Sequence, residues 1–168
     1  MSVSIDVEKG QAQITQVVSS VFETMLGLKV DPIVDVYTPL KGEGFTASVQ
    51  FMGEEKGLAS LHCTVDQAIH FAAAMLGEEP AEVNSDVWDV LSEIANMVGG
   101  NLKSLLAPGG SLSLPLVAQG RDYVQRLCEP TWTTTVGFAS DYGIFEFSLV
   151  RVIPSSSRHV HGAVARKS

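Results

Sequence analysis

An acid and an amide lie three residues apart, Glu93 and Asn96, in a segment with strong helical periodicity. On a helix, side chains three and four residues apart share a face. The pair would therefore present a carboxylate and a carboxamide side by side, within reach of a second molecule. A polar face on an amphipathic helix is ordinarily solvated surface, so the spacing alone assigns no function.

The helix that carries the pair is predicted to run from Ser85 to about Ala107. Its polar stripe, taken at 100° per residue, consists of Asp86, Asp89, Glu93, Asn96, Gly100 and Lys103. The opposite arc is predicted to face the core and consists of Val87, Leu91, Ile94, Val98, Leu102 and Leu105, with Trp88 and Ala95 at its edge.

Two adjacent glycines, Gly99 and Gly100, interrupt this helix near its middle. Each costs roughly 1 kcal/mol relative to alanine in a helix interior, and such a cost is usually offset where another backbone or group approaches closely. Gly100 lies on the polar stripe beside Asn96, where a partner could reach the helix. Gly99 lies nearer the core, which favours close internal packing.

The segment 93–103, EIANMVGGNLK, resembles the signature helix of the CheX family, relatives of the CheC phosphatases of bacterial chemotaxis. Similar stretches occur at 21–27 (VFETMLG), at 112–120 (LSLPLVAQG) and at 143–147 (GIFEF), so the resemblance covers roughly residues 10–153. Pro115 and Gly120, downstream of the Glu93/Asn96 pair, make the match more specific than the pair alone.

The resemblance implies a phosphatase that acts on the phospho-aspartate of a CheY-like response regulator. Asn96 would position the attacking water, because phosphoryl transfer chiefly requires positioning and a carboxamide can hold a water in line. Glu93 would pair with a lysine of the regulator, and Asp89, Gly100 and Lys103 would contact it. The Mg²⁺ would be held by the regulator, so no metal site or cofactor is expected in this chain.

The resemblance also implies one active helix per chain and a homodimer whose sheets join across the interface. CheC-like members carry a second pair on the corresponding helix of the other half. In this chain Glu23 is followed three residues later by Leu26, so that second site is expected to be absent.

The periodicities along the chain predict three helices and about six strands in an α+β fold. Helices are predicted at 11–27, 66–76 (capped by Asp66) and 85–107 (capped by Asn84 or Ser85), and strands at 33–37, 45–52, 57–63, 112–117, 131–139 and 144–150. Strands grouped apart from helices favour a mainly antiparallel sheet. The order of elements is the same in both halves, which predicts pseudo-duplicated halves. The resemblance implies that they form one CheC-like phosphatase domain, 1–153, and the residues after it predict a flexible tail, 154–168.

The composition excludes several classes of protein. The chain of 168 residues has 11 Lys and Arg against 19 Asp and Glu, and three of the basic residues lie in the last eleven positions. Nucleic-acid binding rests on clustered basic residues, so it is not expected. No apolar run approaches the roughly 20 residues of a membrane span, and the first 13 residues lack an apolar signal core. Cys63 and Cys128 are predicted to be buried free thiols, and the expected compartment is the cytoplasm.

Two other functions remain open on the sequence. The fold also resembles parts of the flagellar motor switch, so the chain could be a non-catalytic module that binds a response regulator. A small-molecule enzyme would have to rely on Ser60, His62 and His70, which have no nucleophile elbow or phosphate loop beside them. In the tail, His159 and His161 could bind a metal, although a solvated tail is the favoured interpretation.

Overall fold

The computed structural model describes residues 3–34, 39–122 and 125–155. It contains three helices, and the first of them ends in a π-helical turn. The helices are α1 (Val3–Val21, continued by the turn Phe22–Leu26), α2 (Val65–Leu76) and α3 (Ser85–Leu106). The strands are β1 (Asp31–Pro32), β2 (Glu43–Met52), β3 (Gly57–Thr64), β4 (Ser111–Leu112), β5 (Leu116–Arg121), β6 (Thr131–Ser140) and β7 (Gly143–Val152).

These strands form one antiparallel sheet in the order β1-β6-β7-β3-β2, with β4 and β5 both paired to the outer edge of β2. The third strands of the two halves, β3 and β7, meet at the centre of the sheet. The first strand of each half pairs with the second strand of the other, β1 with β6 and β5 with β2. This arrangement confirms the predicted α+β class and the pseudo-duplicated halves.

All three helices pack on one face of the sheet, and the core lies between the two layers. Phenylalanines dominate its centre. Phe22 at the end of α1 stacks on Phe145 of β7 with ring centroids 4.8 Å apart, and Phe71 of α2 meets both rings edge-on. The two halves thus share one apolar cluster. Such aromatic packing adds about 0.5–1.5 kcal/mol per pair beyond the burial of area.

The predicted helix ends are mostly confirmed. Gly27 and Gly77 end their helices in the left-handed conformation, and the Asn84 side chain caps α3 by accepting a hydrogen bond from Val87 N at 3.2 Å. The predicted start of α1 at residue 11 is wrong, because the helix already begins at Val3.

The predicted cap of α2 is also wrong, because Thr64 and not Asp66 precedes the first turn. Thr64 Oγ1 accepts from Gln67 N, and Gln67 Oε1 accepts from Thr64 N, which forms a capping box. Thr64 is at the same time the last residue of β3. Because threonine is β-branched and favours strands, the sequence indicates its place in β3 but not its second role as a helix cap.

The seventh strand arises where one strand was predicted. Residues 112–117 do not form a continuous strand but divide into β4 and β5, separated by residues 113–115. Pro115 has no N–H to give to a ladder, which confines proline to sheet edges and irregular points. Ser113 takes over the pairing: its N–H donates to Gln50 O at 2.9 Å and its Oγ accepts from Gln50 N at 2.9 Å.

Parts of two predictions lie outside the described residues. The predicted strand 33–37 has its described counterpart in β1, which ends at Pro32, while residues 35–38 are not described. Only 154 and 155 of the predicted tail are described, so its state and the roles considered for His159 and His161 stay predictions. Within the described ranges, no helix is long and apolar enough to cross a bilayer.

Candidate functional site

The polar face of α3 is set by the packing of its opposite face on the sheet. Within the helix, the buried side is formed by Val87, Val90, Leu91, Ile94, Ala95, Val98, Gly99 and Leu102. These residues recur at spacings of three and four, which fixes the rotation of the helix about its axis. One predicted core residue is wrong: Leu105, in the last turn of α3, is 52% exposed.

Glu93 and Asn96 lie together on the exposed side of α3, as the spacing predicts. Glu93 is exposed, and Asn96, one turn further along, is half-buried. Asp89 is also exposed, whereas Gly100 and Lys103 are half-buried. The five residues assigned to the site therefore form one continuous strip along the outer side of the helix.

Hydrogen bonding separates Glu93 and Asn96 from other polar residues of α3. Ser92 donates to Trp88 O at 2.9 Å, Asn101 to Met97 O at 2.8 Å and Ser104 to Gly100 O at 3.1 Å. Each of these side chains is thus satisfied by its own helix.

By contrast, the side chains of Glu93 and Asn96 make no hydrogen bond or ion pair within the part of the chain that the structure describes. Asn101 and Asn96 are the same residue type on the same helix, yet only the Asn96 amide is left available. A free carboxylate beside a free carboxamide can accept from a cation and orient a water at the same time.

The two glycines of α3 have different surroundings. A Cβ on Gly99 would lie well inside van der Waals contact with Cγ2 of Val49 on β2, which confirms the close internal packing predicted for it. A Cβ on Gly100 would lie 3.7 Å from Cδ1 of Leu112, an ordinary contact. Packing against the described residues therefore does not require glycine at position 100. Because Gly100 has no side chain, nothing protrudes from the helix surface beside Asn96 at this position.

The corresponding helix of the first half has no such pair. Glu23 is exposed, but Leu26, three residues later, is buried in the core. The π-helical turn that holds both residues also widens the spacing, so positions three apart no longer share a face as they do on α3. A carboxylate without a neighbouring amide cannot repeat the arrangement of Glu93 and Asn96.

The second face of the sheet holds two of the residues considered for a small-molecule enzyme, Ser60 and His62. His62 Nδ1 hydrogen-bonds Thr46 Oγ1 at 3.0 Å, and Ser60 Oγ donates to Gln125 Oε1 at 3.4 Å. Burial lowers the pKa of His62, and Glu146, its cross-strand neighbour, partly offsets this effect. A cleft of about 300 Å³ lies over His62, Thr46 and Glu146.

These residues do not form a nucleophile and base. Ser60 and His62 each bond to another partner, and His70 lies on α2, stacked on Tyr142 with ring centroids 4.0 Å apart. Their contacts are those of residues that hold the fold together.

The two cysteines differ from each other. Cys63 is buried and free as predicted, and burial raises the pKa of its thiol to about 12, so it stays protonated. The prediction for Cys128 is wrong, because this free thiol is exposed in the segment between β5 and β6. In the described ranges no three His, Cys, Asp or Glu side chains converge as metal ligands would.

Comparisons with known proteins agree with the resemblance seen in the signature helix. The family model "Chemotaxis phosphatase CheX" matches residues 45–136, which contain all of α2 and α3. A comparison with curated protein sequences gave no significant match.

Solved structures show the same fold. CheX of Vibrio vulnificus superposes with a TM-score of 0.71 at 24% identity, over 83% of this chain and 94% of its own. CheX of Desulfovibrio desulfuricans gives 0.70 at 22% identity, over 84% of this chain and 97% of its own. A complex of CheX, CheY, BeF₃ and Mg²⁺ from Borrelia burgdorferi gives 0.67 at 18% identity, over 84% of this chain and 97% of the matched chain.

The superpositions show the fold. The family model shows to which family the chain belongs, because it matches more than half of the residues. This chain belongs to the family of the chemotaxis phosphatase CheX.

Proposed function

We propose that this protein hydrolyses the phospho-aspartate of a CheY-like response regulator. The observation that carries the proposal is the pair of unengaged side chains on α3, a carboxylate and a carboxamide one turn apart. Membership in the CheX family supports this reaction, and the Borrelia complex shows that a relative of this fold assembles with CheY.

In the proposed reaction, the Asn96 side chain hydrogen-bonds one water and holds it in line with the acyl phosphate. The water oxygen forms a new bond to phosphorus while the bond from phosphorus to the aspartyl oxygen breaks. The products are a free carboxylate on the regulator and inorganic phosphate, which keeps both protons of the water: one on the attacking oxygen and one transferred to another phosphate oxygen. Positioning of this kind accounts for most of the catalysis that proteins supply to phosphoryl transfer.

Glu93 has the complementary role of holding the regulator in register. Its exposed carboxylate can pair with a lysine next to the acyl phosphate, and a charge-assisted bond of this type is short and directional. Asp89, Gly100 and Lys103 extend the contact along the helix. The Mg²⁺ that neutralises phosphate charge would belong to the regulator's acidic pocket, with no ligand from this chain.

We also propose that the protein acts as a homodimer joined through β5. Within the described residues, β5 pairs only with β2, so its outer side is an open sheet edge. Two large apolar side chains lie at the start of this edge and are exposed. Leu114, just before β5, is 89% exposed, and Leu116 of β5 is 56% exposed. Open edges with exposed apolar residues favour pairing with another strand.

The proposed activity is tested by the loss of acyl phosphate from phosphorylated response regulators, with and without this protein. A regulator that is its substrate should lose phosphate at least tenfold faster than by its own hydrolysis. If the protein binds the phosphorylated regulator but never accelerates the loss, it is a non-catalytic interaction module and the proposed reaction is wrong.

A further inference from the structure

Gly99 is the point of closest approach between α3 and the sheet. A Cβ at this position would overlap Cγ2 of Val49, and it would also lie 3.6 Å from Val49 Cβ and 4.0 Å from Ala59 Cβ. Carbon atoms in contact normally stay about 3.5–4.0 Å apart. The helix therefore lies lower on β2 and β3 than any residue other than glycine would allow.

The height of α3 above the sheet affects its polar face because β4 lies beside that face. Gly100 faces Leu112 of β4, where a Cβ would lie 3.7 Å from Cδ1. Asn96 and Gly100 are four residues apart and share this side of the helix. A partner seated over Asn96 and Gly100 thus meets Leu112 of β4 as well as the helix.

If a partner rests on both α3 and β4, a change in the height of α3 above the sheet displaces Asn96 relative to the reacting atoms of the partner. If α3 rose on the sheet, Asn96 would move relative to β4, which also holds the partner. Errors of about 1 Å in the position of reacting groups can cost roughly a hundredfold in rate. A surface made of α3 alone would move as a unit, and its chemistry would not change.

We propose that Gly99 is a positioning residue: its contact with Val49 sets the height at which Asn96 meets a response regulator held jointly by α3 and β4. This inference rests on the proposed phosphatase activity and adds to it a residue that touches neither the water nor the partner.

The test is a cycle of four proteins: wild type, Gly99→Ala, Val49→Ala and the double variant. Removing the Val49 methyls leaves its Cβ 3.6 Å from the new alanine Cβ, an ordinary contact, so the double variant should restore the helix height. Gly99→Ala should lower kcat for acyl-phosphate loss at least tenfold and change KM less than threefold. The double variant should recover kcat to within threefold of Val49→Ala.

A purely structural contribution of Gly99 is separated by measuring stability. Gly100→Ala makes the same change one residue away, and it should raise the melting temperature because alanine favours the helix and its Cβ has room. Gly99→Ala should lower the melting temperature instead. With kcat normalised to folded protein, a purely structural role would leave kcat unchanged, and a wild-type kcat in folded Gly99→Ala overturns the proposal.

Failure of the inference about Gly99 is distinguishable from failure of the proposed phosphatase reaction. If wild-type protein binds the regulator without hydrolysing it, the phosphatase proposal fails, and the joint docking surface is judged by affinity. Gly99→Ala should then weaken binding to a regulator carrying a non-hydrolysable phosphate mimic at least threefold, with recovery in the double variant. Unchanged affinity in that case contradicts the inference about Gly99.

Discussion

Glu93 and Asn96 differ in how far they are withdrawn from solvent, and the difference suits two separate roles. Glu93 is exposed and long, which lets its carboxylate reach a charge on another protein. Asn96 is half-buried, so fewer rotamers are open to its amide and less entropy is lost when it holds a water. A side chain that must orient a nucleophile benefits from this restriction more than one that only pairs charges.

At Glu93, replacement by alanine should weaken binding of the phosphorylated regulator about tenfold or more, because a hydrogen-bonded ion pair is lost. Turnover at low regulator concentration should fall with it. Glu93→Asp should recover little, because its carboxylate is shorter by one C–C bond, about 1.5 Å. Isothermal titration with a phosphate-mimic complex of the regulator measures the affinity.

The matched control for this change is Glu23→Ala, on the corresponding helix of the first half. Glu23 is exposed, like Glu93, but has the buried Leu26 where the amide would stand. Affinity and turnover of Glu23→Ala should equal those of wild type. An equal loss in both variants would mean that net charge, and not a specific pair, attracts the regulator.

The pH dependence of stability should report on His62. Burial lowers its pKa from 6.5 in the folded state, so the unfolded state binds the proton more readily. The free energy of unfolding should therefore fall as the pH drops below about 6.5, because the stability that the neutral ring contributes above this pH is lost. His62→Gln should flatten this part of the curve, and urea unfolding between pH 7.5 and 5.5 measures it. Equal slopes in both proteins would show that the ring titrates normally.

Among the elements, the start of α2 offers a direct test of local geometry. Thr64→Ala removes one side of the capping box and should lower the free energy of unfolding by about 1 kcal/mol. Asp66→Ala removes only a first-turn charge and should cost no more than about 0.5 kcal/mol. Chemical unfolding of both variants measures the difference. If Asp66→Ala were the more damaging change, the cap would be at Asp66 after all.

The sequence predicts the elements with strong periodicity well and fails where one residue serves two elements. The hairpin of β2 and β3 and the end of α2 at Gly77 follow from patterns within a few residues. Thr64 was missed as a cap because it completes a strand and starts a helix with no loop between them. Leu105 fits the apolar periodicity of α3, yet it lies in the last turn of the helix and is exposed.

The candidate site was predictable because it lies on one helix. Glu93 and Asn96 are adjacent on α3 through helical spacing alone, and no tertiary contact is needed to bring them together. The partner of Gly99 could not be predicted, since Val49 lies fifty residues earlier on β2. Neither could the contrast between Asn96 and Asn101, which depends on a hydrogen bond from one of them to Met97 O.

For the whole molecule, the exposed edge at β5 predicts a homodimer at micromolar concentration. Sedimentation should give twice the mass of one chain across this range. The double variant Leu114→Lys/Leu116→Lys should shift the protein toward the monomer, because four lysines would then face each other across a two-fold interface. A wild-type monomer throughout the range would contradict the proposed dimer, and an undisturbed dimer in the variant would place the interface elsewhere.

The central claim is that the free amide of Asn96 orients the attacking water, and one comparison tests it most directly. Asn96→Ala and Asn101→Ala remove the same group from the same helix, and each should change the free energy of unfolding by no more than about 0.5 kcal/mol. Acyl-phosphate loss from a phosphorylated regulator should fall at least a hundredfold in Asn96→Ala, while the regulator still binds. Asn101→Ala should retain wild-type turnover. Wild-type turnover in Asn96→Ala would contradict the mechanism.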